Sequence, residues 1–205
     1  MNTLVIDRST DMQTVAWATE TGIAAERNLD GLDCRSGEWT LKVRDFIAEQ
    51  GAGAAPDRIV VGTGPGSFAG IRAALAFAQG YAIGSRCEVL GLPSPCACAP
   101  ESGPSAIIGD ARRGKFWIAL FDGCRLIRSI FQVGQDELDA CIPLSAPVAS
   151  PDDARIGAVL KELFDKRYTG ACRPTAGGLV RYFRANPAAL KSEPLPIYLN
   201  PAVRD

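Results

Sequence analysis

Two strand-end aspartates, a pair of adjacent arginines and one glycine-rich loop carry most of the chemistry this sequence offers. The 205 residues contain no histidine. That removes Ser-His-Asp and Cys-His nucleophiles, H-E-x-x-H zinc sites and every histidine general base. Any site would have to run on Asp, Glu, Lys, Tyr or Cys, or on a metal held by oxygen ligands. Asp7 closes the apolar run TLVID, and Asp110 closes AIIGD. Each is followed by a turn: Asp7-Arg8-Ser9-Thr10-Asp11 and Asp110-Ala111-Arg112-Arg113-Gly114. In duplicated folds that bind ATP between lobes, such hairpins offer a carboxylate for a metal and a glycine turn for phosphates. The first turn has no glycine and puts bulky Arg8 where the backbone should approach phosphate. The second keeps Gly114, and its Arg112 and Arg113 can meet an anion. The alternative for both aspartates is a turn residue satisfied by its own backbone.

The glycine loop is GTGPGSFAGIR, Gly62 to Arg72. It follows a buried-strand pattern, RIVV, and opens a helical one, where backbone N–H groups and the helix dipole favour an anion. No lysine lies in it, so it is not a G-x-x-x-x-G-K-[ST] phosphate loop. Gly64-Pro65-Gly66-Ser67-Phe68-Ala69 fits the dinucleotide fingerprint G-x-G-x-x-[GA]. The matching ribose-binding acid would be Glu88, which opens its strand instead of closing it. The competing role is structural: the glycines permit a tight strand-to-helix turn and close backbone contact. Ser67 would then cap the helix and Arg72 anchor an ion pair.

The seven cysteines (34, 87, 96, 98, 124, 141 and 172) include no C-x-x-C. Cys96 and Cys98 form a C-x-C without further ligands at matching spacing, so no metal site is expected. They read as small buried hydrophobes. The formal net charge is -1, and 22% of residues are charged. No basic block would grip a nucleic-acid backbone unaided. Neither a signal peptide nor a membrane-length apolar run is apparent, and the expected location is the cytoplasm.

The elements that must position these groups follow from periodicity. Residues 3–7, 13–19 and 23–29 read as a β-meander. A helix runs from a Ser36 cap to about Gln50 and ends at Gly51 and Gly53. Its Trp39, Val43, Phe46 and Ile47 form one apolar stripe. Residues 58–61 and 88–90 are short strands. Between them, residues 69–84 form a helix that is apolar on nearly every side, a pattern of burial in a core or in a partner. The strand-Asp-strand-strand pattern then returns at 106–110, 115–121 and 125–133, which reads as an internal duplication. Helices are expected over 152–164 and 175–184. The division falls at 1–100 and 101–205, the second lobe reduced, with its tail packing back.

Three of these segments resemble one family. GTGPGSFAGIRAALAFAQGYA resembles the glycine signature of the TsaB (YeaZ) family. TLVIDRST resembles its first strand, and GDARRGKFWIALFDG its second-lobe hairpin; the tail PIYLNP is similar to its closing segment. The family-motif residues here are Gly62, Gly64, Pro65, Gly66, Ser67, Phe68, Gly70 and Arg72. The resemblance implies a duplicated α/β actin-like ATPase (ribonuclease H-like) fold in two lobes. It implies a role in making N6-threonylcarbamoyladenosine at position 37 of ANN-decoding tRNAs. There the family acts as a non-catalytic scaffold for a TsaD-like catalytic subunit, joined by a TsaE-like ATPase. It also implies a homodimer when alone, tRNA contact only through the complex, no membrane, and no intrinsic cofactor, with ATP or ADP at most at a complex interface. The two N-terminal helices would present Trp39, Val43, Phe46, Ala73, Phe77 and Tyr81 to a partner. Arg8 stands where the family usually has Thr. A chain without histidine can neither supply TsaD-type metal ligands nor support the older glycoprotease label. The alternative is a small actin-fold ATPase or kinase using Asp7 and Asp110 with magnesium, with Asp7, Asp110, Arg112 and Arg113 as nucleotide contacts.

Overall fold

The computed structural model describes residues 1–31, 37–52 and 54–199. The chain forms two units. Unit 1 comprises Met1–Ala97 and Pro174–Ile197, and unit 2 comprises Cys98–Arg173 with Tyr198 and Leu199.

Unit 1 begins with strands β1 (Thr3–Asp7), β2 (Thr14–Thr19) and β3 (Gly22–Asn28), then helix α1 (Glu38–Gly51). It continues through β4 (Arg58–Gly62), α2 (Phe68–Ser85) and β5 (Glu88–Leu92). The meander pairs antiparallel, β1 with β2 and β2 with β3. Strand β4 adds parallel to β1, and β5 parallel to β4. All five residues of β1 are buried because this central strand is covered on both faces. The face carrying Leu4, Ile6, Val15 and Trp17 packs with Trp39, Val43, Phe46 and Ile47 of α1 and Ile71, Ala74, Leu75 and Ala78 of α2.

Unit 2 repeats this order. Strands β6 (Pro104–Arg112), β7 (Lys115–Asp122), β8 (Arg125–Leu126) and β9 (Phe131–Gly134) lead to a one-turn helix α3 (Leu138–Cys141). Then come β10 (Val148–Ser150), α4 (Asp153–Phe164) and β11 (Tyr168–Ala171). The sheet order β11-β10-β6-β7 mirrors β5-β4-β1-β2, and the added strands are again parallel. The duplication expected from the two strand-Asp-strand patterns is therefore present, and the fold is a duplicated actin-like α/β architecture.

The differences are local. The single strand expected over 125–133 is split. Leu126 pairs with Phe121 and Phe131 with Ile118, so five steps on one side face three on the other. The surplus leaves the ladder between β8 and β9. Helix α1 continues through Gly51, and its left-handed end residue is Ala52, φ 47°; Ser36 and Gly53, its expected ends, lie outside the described residues. The largest departure follows β11. Helix α5 (Ala176–Ala185) and strand β12 (Lys191–Ser192) belong to unit 1, so 101–205 is not one block. Helix α5 packs on β1, β2 and β3, against the sheet face opposite α1 and α2. Strand β12 extends the sheet by pairing antiparallel with β5.

Candidate functional site

The glycine loop and the first hairpin, more than 50 positions apart in the chain, are one structure. Gly62 ends β4 beside Asp7, and a Cβ there would overlap the Asp7 carboxylate and stand 2.7 Å from the Ser94 hydroxyl. A Cβ on Gly66 would overlap the Ser9 carbonyl, and one on Gly70 the Arg8 carbonyl. The Ser67 N–H donates to the Ser9 carbonyl at 2.7 Å. The Gly64 N–H donates to Ser94 Oγ at 3.0 Å, and the Ser94 N–H to the Gly64 carbonyl at 2.9 Å. The peptide before Pro65 is cis. Ser67 is the N-cap of α2, accepting from the Gly70 N–H at 3.2 Å, as its position predicts. Arg72 makes no ion pair among the described residues; its guanidinium lies over the Phe68 ring, 5.0 Å from the centroid. The glycines thus serve backbone-to-backbone packing against residues 7–9.

Asp7 is fully buried beneath this loop. Its Oδ1 accepts from the Ser9 N–H at 2.9 Å and the Ser9 hydroxyl at 2.7 Å. Its Oδ2 makes no hydrogen bond of good geometry, with the Ser94 hydroxyl alongside. Burial pushes the Asp7 carboxyl above its ordinary range, partly offset by the Ser94 and Ser9 groups. Arg8 turns inward, 2% exposed, with its guanidinium 4.1 Å from the centre of the Trp39 ring. The Ser9 N–H and the Arg8 and Ser9 carbonyls of this turn serve the protein, not a ligand. Its Ser9 N–H is held by Asp7, its Ser9 carbonyl by Ser67, and its Arg8 carbonyl lies against Gly70. These residues do not fit a phosphate cradle or a solvent-facing metal carboxylate. Among the described residues, no group of three or more His, Cys, Asp or Glu is placed to hold a metal.

The second hairpin is also engaged. Asp110 Oδ2 pairs with Arg112 at 3.2 Å and with Arg155 Nε at 3.4 Å, and Asp110 Oδ1 accepts from the Arg112 N–H at 2.7 Å. Asp152 accepts from the Asp110 N–H at 2.8 Å and ion-pairs with Arg155. Two carboxylates and two guanidiniums so neutralise one another. Arg112 and Arg113 both take left-handed backbone, φ 67° and 55°, to turn the chain between β6 and β7. Arg113 remains exposed at the tip.

The N-terminus of α5 would be a further place for an anion, but it is filled from within unit 1. The Ala176 N–H donates to Thr14 Oγ1 at 2.7 Å, the Gly177 N–H to Glu26 at 2.7 Å and the Gly178 N–H to Thr175 Oγ1 at 3.0 Å. Sequence reasoning missed this. Only Thr175, standing just ahead of the helical pattern, was a legible signal.

The expected partner residues divide in two. Trp39, Val43 and Phe46 lie in the unit 1 core, with Trp39 only 2% exposed. Phe77 and Tyr81 flank that core, and Phe77 packs edge-to-face on Trp39 at 5.5 Å. The stripe on α1 faces its own sheet, so these residues cannot form a docking surface. The outer face of α2 is different. Phe68 is 57% exposed and Ile83 85%, with Ala69, Ala76 and Gly80 exposed between them and Ala73 half-buried. Arg72 is the only charged residue between Phe68 and Ile83.

These features define a class: a duplicated actin-like chain whose first hairpin is closed by its own glycine loop. The family model of TsaD, tRNA N6-adenosine threonylcarbamoyltransferase, matches residues 42–141. A Mycobacterium tuberculosis protein, Rv3421c, is 30% identical over 150 residues, 70% of this chain. This chain spans 64% of that relative's length. YeaZ from Pseudomonas aeruginosa superposes with a TM-score of 0.74 at 21% identity, covering 97% of this chain and 99% of that one. The ethanolamine utilization protein EutJ from Carboxydothermus hydrogenoformans shares the fold more distantly, with a TM-score of 0.50 at 13% identity over 89% of this chain and 90% of that one. The chain is thus similar to the TsaD family model over residues 42–141 and shares the fold of YeaZ along its length. Among the described residues, no helix is long and apolar enough to cross a membrane.

Proposed function

We propose that this chain is a non-catalytic partner of a TsaD-like enzyme in forming N6-threonylcarbamoyladenosine on tRNA. The observation that carries this is the contrast between the closed first hairpin and the open outer face of α2. Asp7, the strand-end carboxylate, is sealed under the glycine loop, and Asp110 is neutralised by Arg112 and Arg155. With no histidine in the chain, no general base of the usual kind stands in for them. The α2 face, in turn, combines two exposed large apolar side chains with small residues that let another backbone approach. Such a patch gains free energy when covered.

The TsaD-like subunit is the proposed occupant of that face, and a second copy of this chain covers it when the partner is missing. A TsaE-like ATPase joins the assembly, tRNA is met through the complex, and any ATP or ADP sits at a complex interface. Size-exclusion chromatography with the TsaD-like protein of the same organism tests the docking. Co-elution is expected, and Ile83→Glu should abolish it. A strictly monomeric protein that ignores that partner would overturn the proposal. Nucleoside analysis of tRNA from a deletion strain should show loss of the modification.

A further inference from the structure

Strands β4 and β5 run parallel with Gly62 beside Leu92, so Thr63 and Pro93 are the first residues past the carboxyl ends of two neighbouring strands. In open α/β sheets that is where ligands are met. Within unit 1, the returning tail builds a cavity there of about 240 Å³. Strand β12 ends at Ser192, and Glu193 takes left-handed backbone, φ 61°. The turn sets Pro194 on Gly91: a Cβ on Gly91 would stand 2.7 Å from the Pro194 Cβ and 2.9 Å from the Thr63 Cγ2. The Ile197 N–H then donates to the Thr63 carbonyl at 2.9 Å. Pro93, Pro194, Leu195 and Ile197 give the cavity apolar walls. Leu195 is 76% exposed, apolar surface that an occupant would cover.

Three side chains with polar ends line the same cavity. Thr63 is only 5% exposed. Its N–H donates to the Leu92 carbonyl at 2.9 Å and its carbonyl accepts from Ile197, but its hydroxyl makes no hydrogen bond among the described residues. Hydroxyls in buried residues ordinarily have a partner. Lys191 and Glu193 are exposed, and neither side chain makes an ion pair or hydrogen bond among the described residues. One cation, one anion and one hydroxyl, none of them paired, therefore stand around an apolar cavity. Its volume is below the about 300–1,000 Å³ of sites for drug-sized ligands, so its occupant is small.

We propose that this cavity binds a free α-amino acid with a small apolar side chain. Lys191 meets the carboxylate, Glu193 meets the ammonium group, and the Thr63 hydroxyl adds a hydrogen bond to the carboxylate. The ligand side chain lies against Pro93, Pro194, Leu195 and Ile197. The two charges decide the class. A plain carboxylate would face Glu193 as a like charge, and a plain amine would face Lys191, so only a zwitterion matches both. Binding needs no rearrangement of the strands, because every contact comes from the ends of β4 and β5 or from the tail segment that crosses them.

The test is a titration of the isotope-labelled full chain with L-valine, followed by amide chemical shifts. Saturable shifts are expected at Thr63, Gly91 and the segment from Lys191 to Ile197. L-valinamide, which lacks the carboxylate, and N-acetyl-L-valine, which lacks the ammonium group, should each bind about tenfold more weakly. Valine should lose about as much on Lys191→Gln and on Glu193→Gln, both at exposed positions where folding is not at stake. Thr63→Val deletes only the unpaired hydroxyl, so it should keep the wild-type melting temperature and still bind valine more weakly. Isobutyrate binding as tightly as valine would overturn the proposal. So would unchanged affinity in both charge variants, shifts confined to other residues, or no saturable shift with valine near its solubility limit.

Discussion

Gly70→Ala and Gly80→Ala place the same methyl group in the same helix with opposite expected results. Helix propensity alone favours both, because alanine is about 1 kcal/mol better than glycine in a helix interior. At Gly80 nothing lies within 4 Å of the new Cβ, so that gain should appear in full. At Gly70 the new Cβ overlaps the Arg8 carbonyl and sits 3.1 Å from the Ser67 hydroxyl that caps the helix. The obstacle is backbone, and that backbone is pinned. Ser9 is held by Asp7, and Ser67 donates to the Ser9 carbonyl. Overpacking a rigid site costs about 1–3 kcal/mol, and a backbone obstacle puts this case at the upper end. Subtracting the propensity gain leaves Gly70→Ala about 2 kcal/mol less stable than wild type, and about 3 kcal/mol below Gly80→Ala. A gap of that size is roughly a hundredfold in the unfolding equilibrium. Urea unfolding followed by circular dichroism measures it, with unchanged m-values showing that the native state is preserved. A Gly70→Ala protein as stable as wild type would refute the packing of the glycine loop on residues 7–9.

Trp39→Ala should cost about 3–5 kcal/mol, because the indole is 2% exposed in the core, whereas Ile83→Glu should change the melting temperature little and affect only partner binding. Equal stability of the two variants would return Trp39 to the surface. Asp7 has a folded pKa raised above its unfolded value, so the native state holds the extra proton. Stability should therefore fall as pH rises from about 4, the ordinary aspartate value, through the raised folded value. Asp7→Asn should flatten that fall, and parallel urea midpoints for wild type and variant across pH 4–8 would contradict it. Thr175→Ala removes the α5 cap and should cost about 1 kcal/mol, read as a lower thermal midpoint.

Much of this protein was legible in local pattern. The strand-Asp-strand repeat, the Ser67 cap and the apolar character of α2 depend on neighbours a few residues away, so periodicity and turn chemistry reveal them. The missing histidines likewise bound the chemistry before any fold is known. What periodicity could not decide was direction. A stripe such as Trp39, Val43 and Phe46 says that one face of α1 is covered, but not whether by its own sheet or by another chain. The return of α5 to unit 1 and the seating of Gly66 and Gly70 on the Ser9 and Arg8 carbonyls both join residues far apart in sequence. Such contacts leave no spacing to read, because chain separation says nothing of which surfaces meet. The sequence by itself determined the duplicated strand order, the glycine hinge and the chemistry that is excluded. Only the tertiary structure decided that the hinge closes over Asp7 and that the outer face of α2, not the stripe of α1, is left open to solvent. Both are outcomes of which buried surfaces find one another once the chain has collapsed.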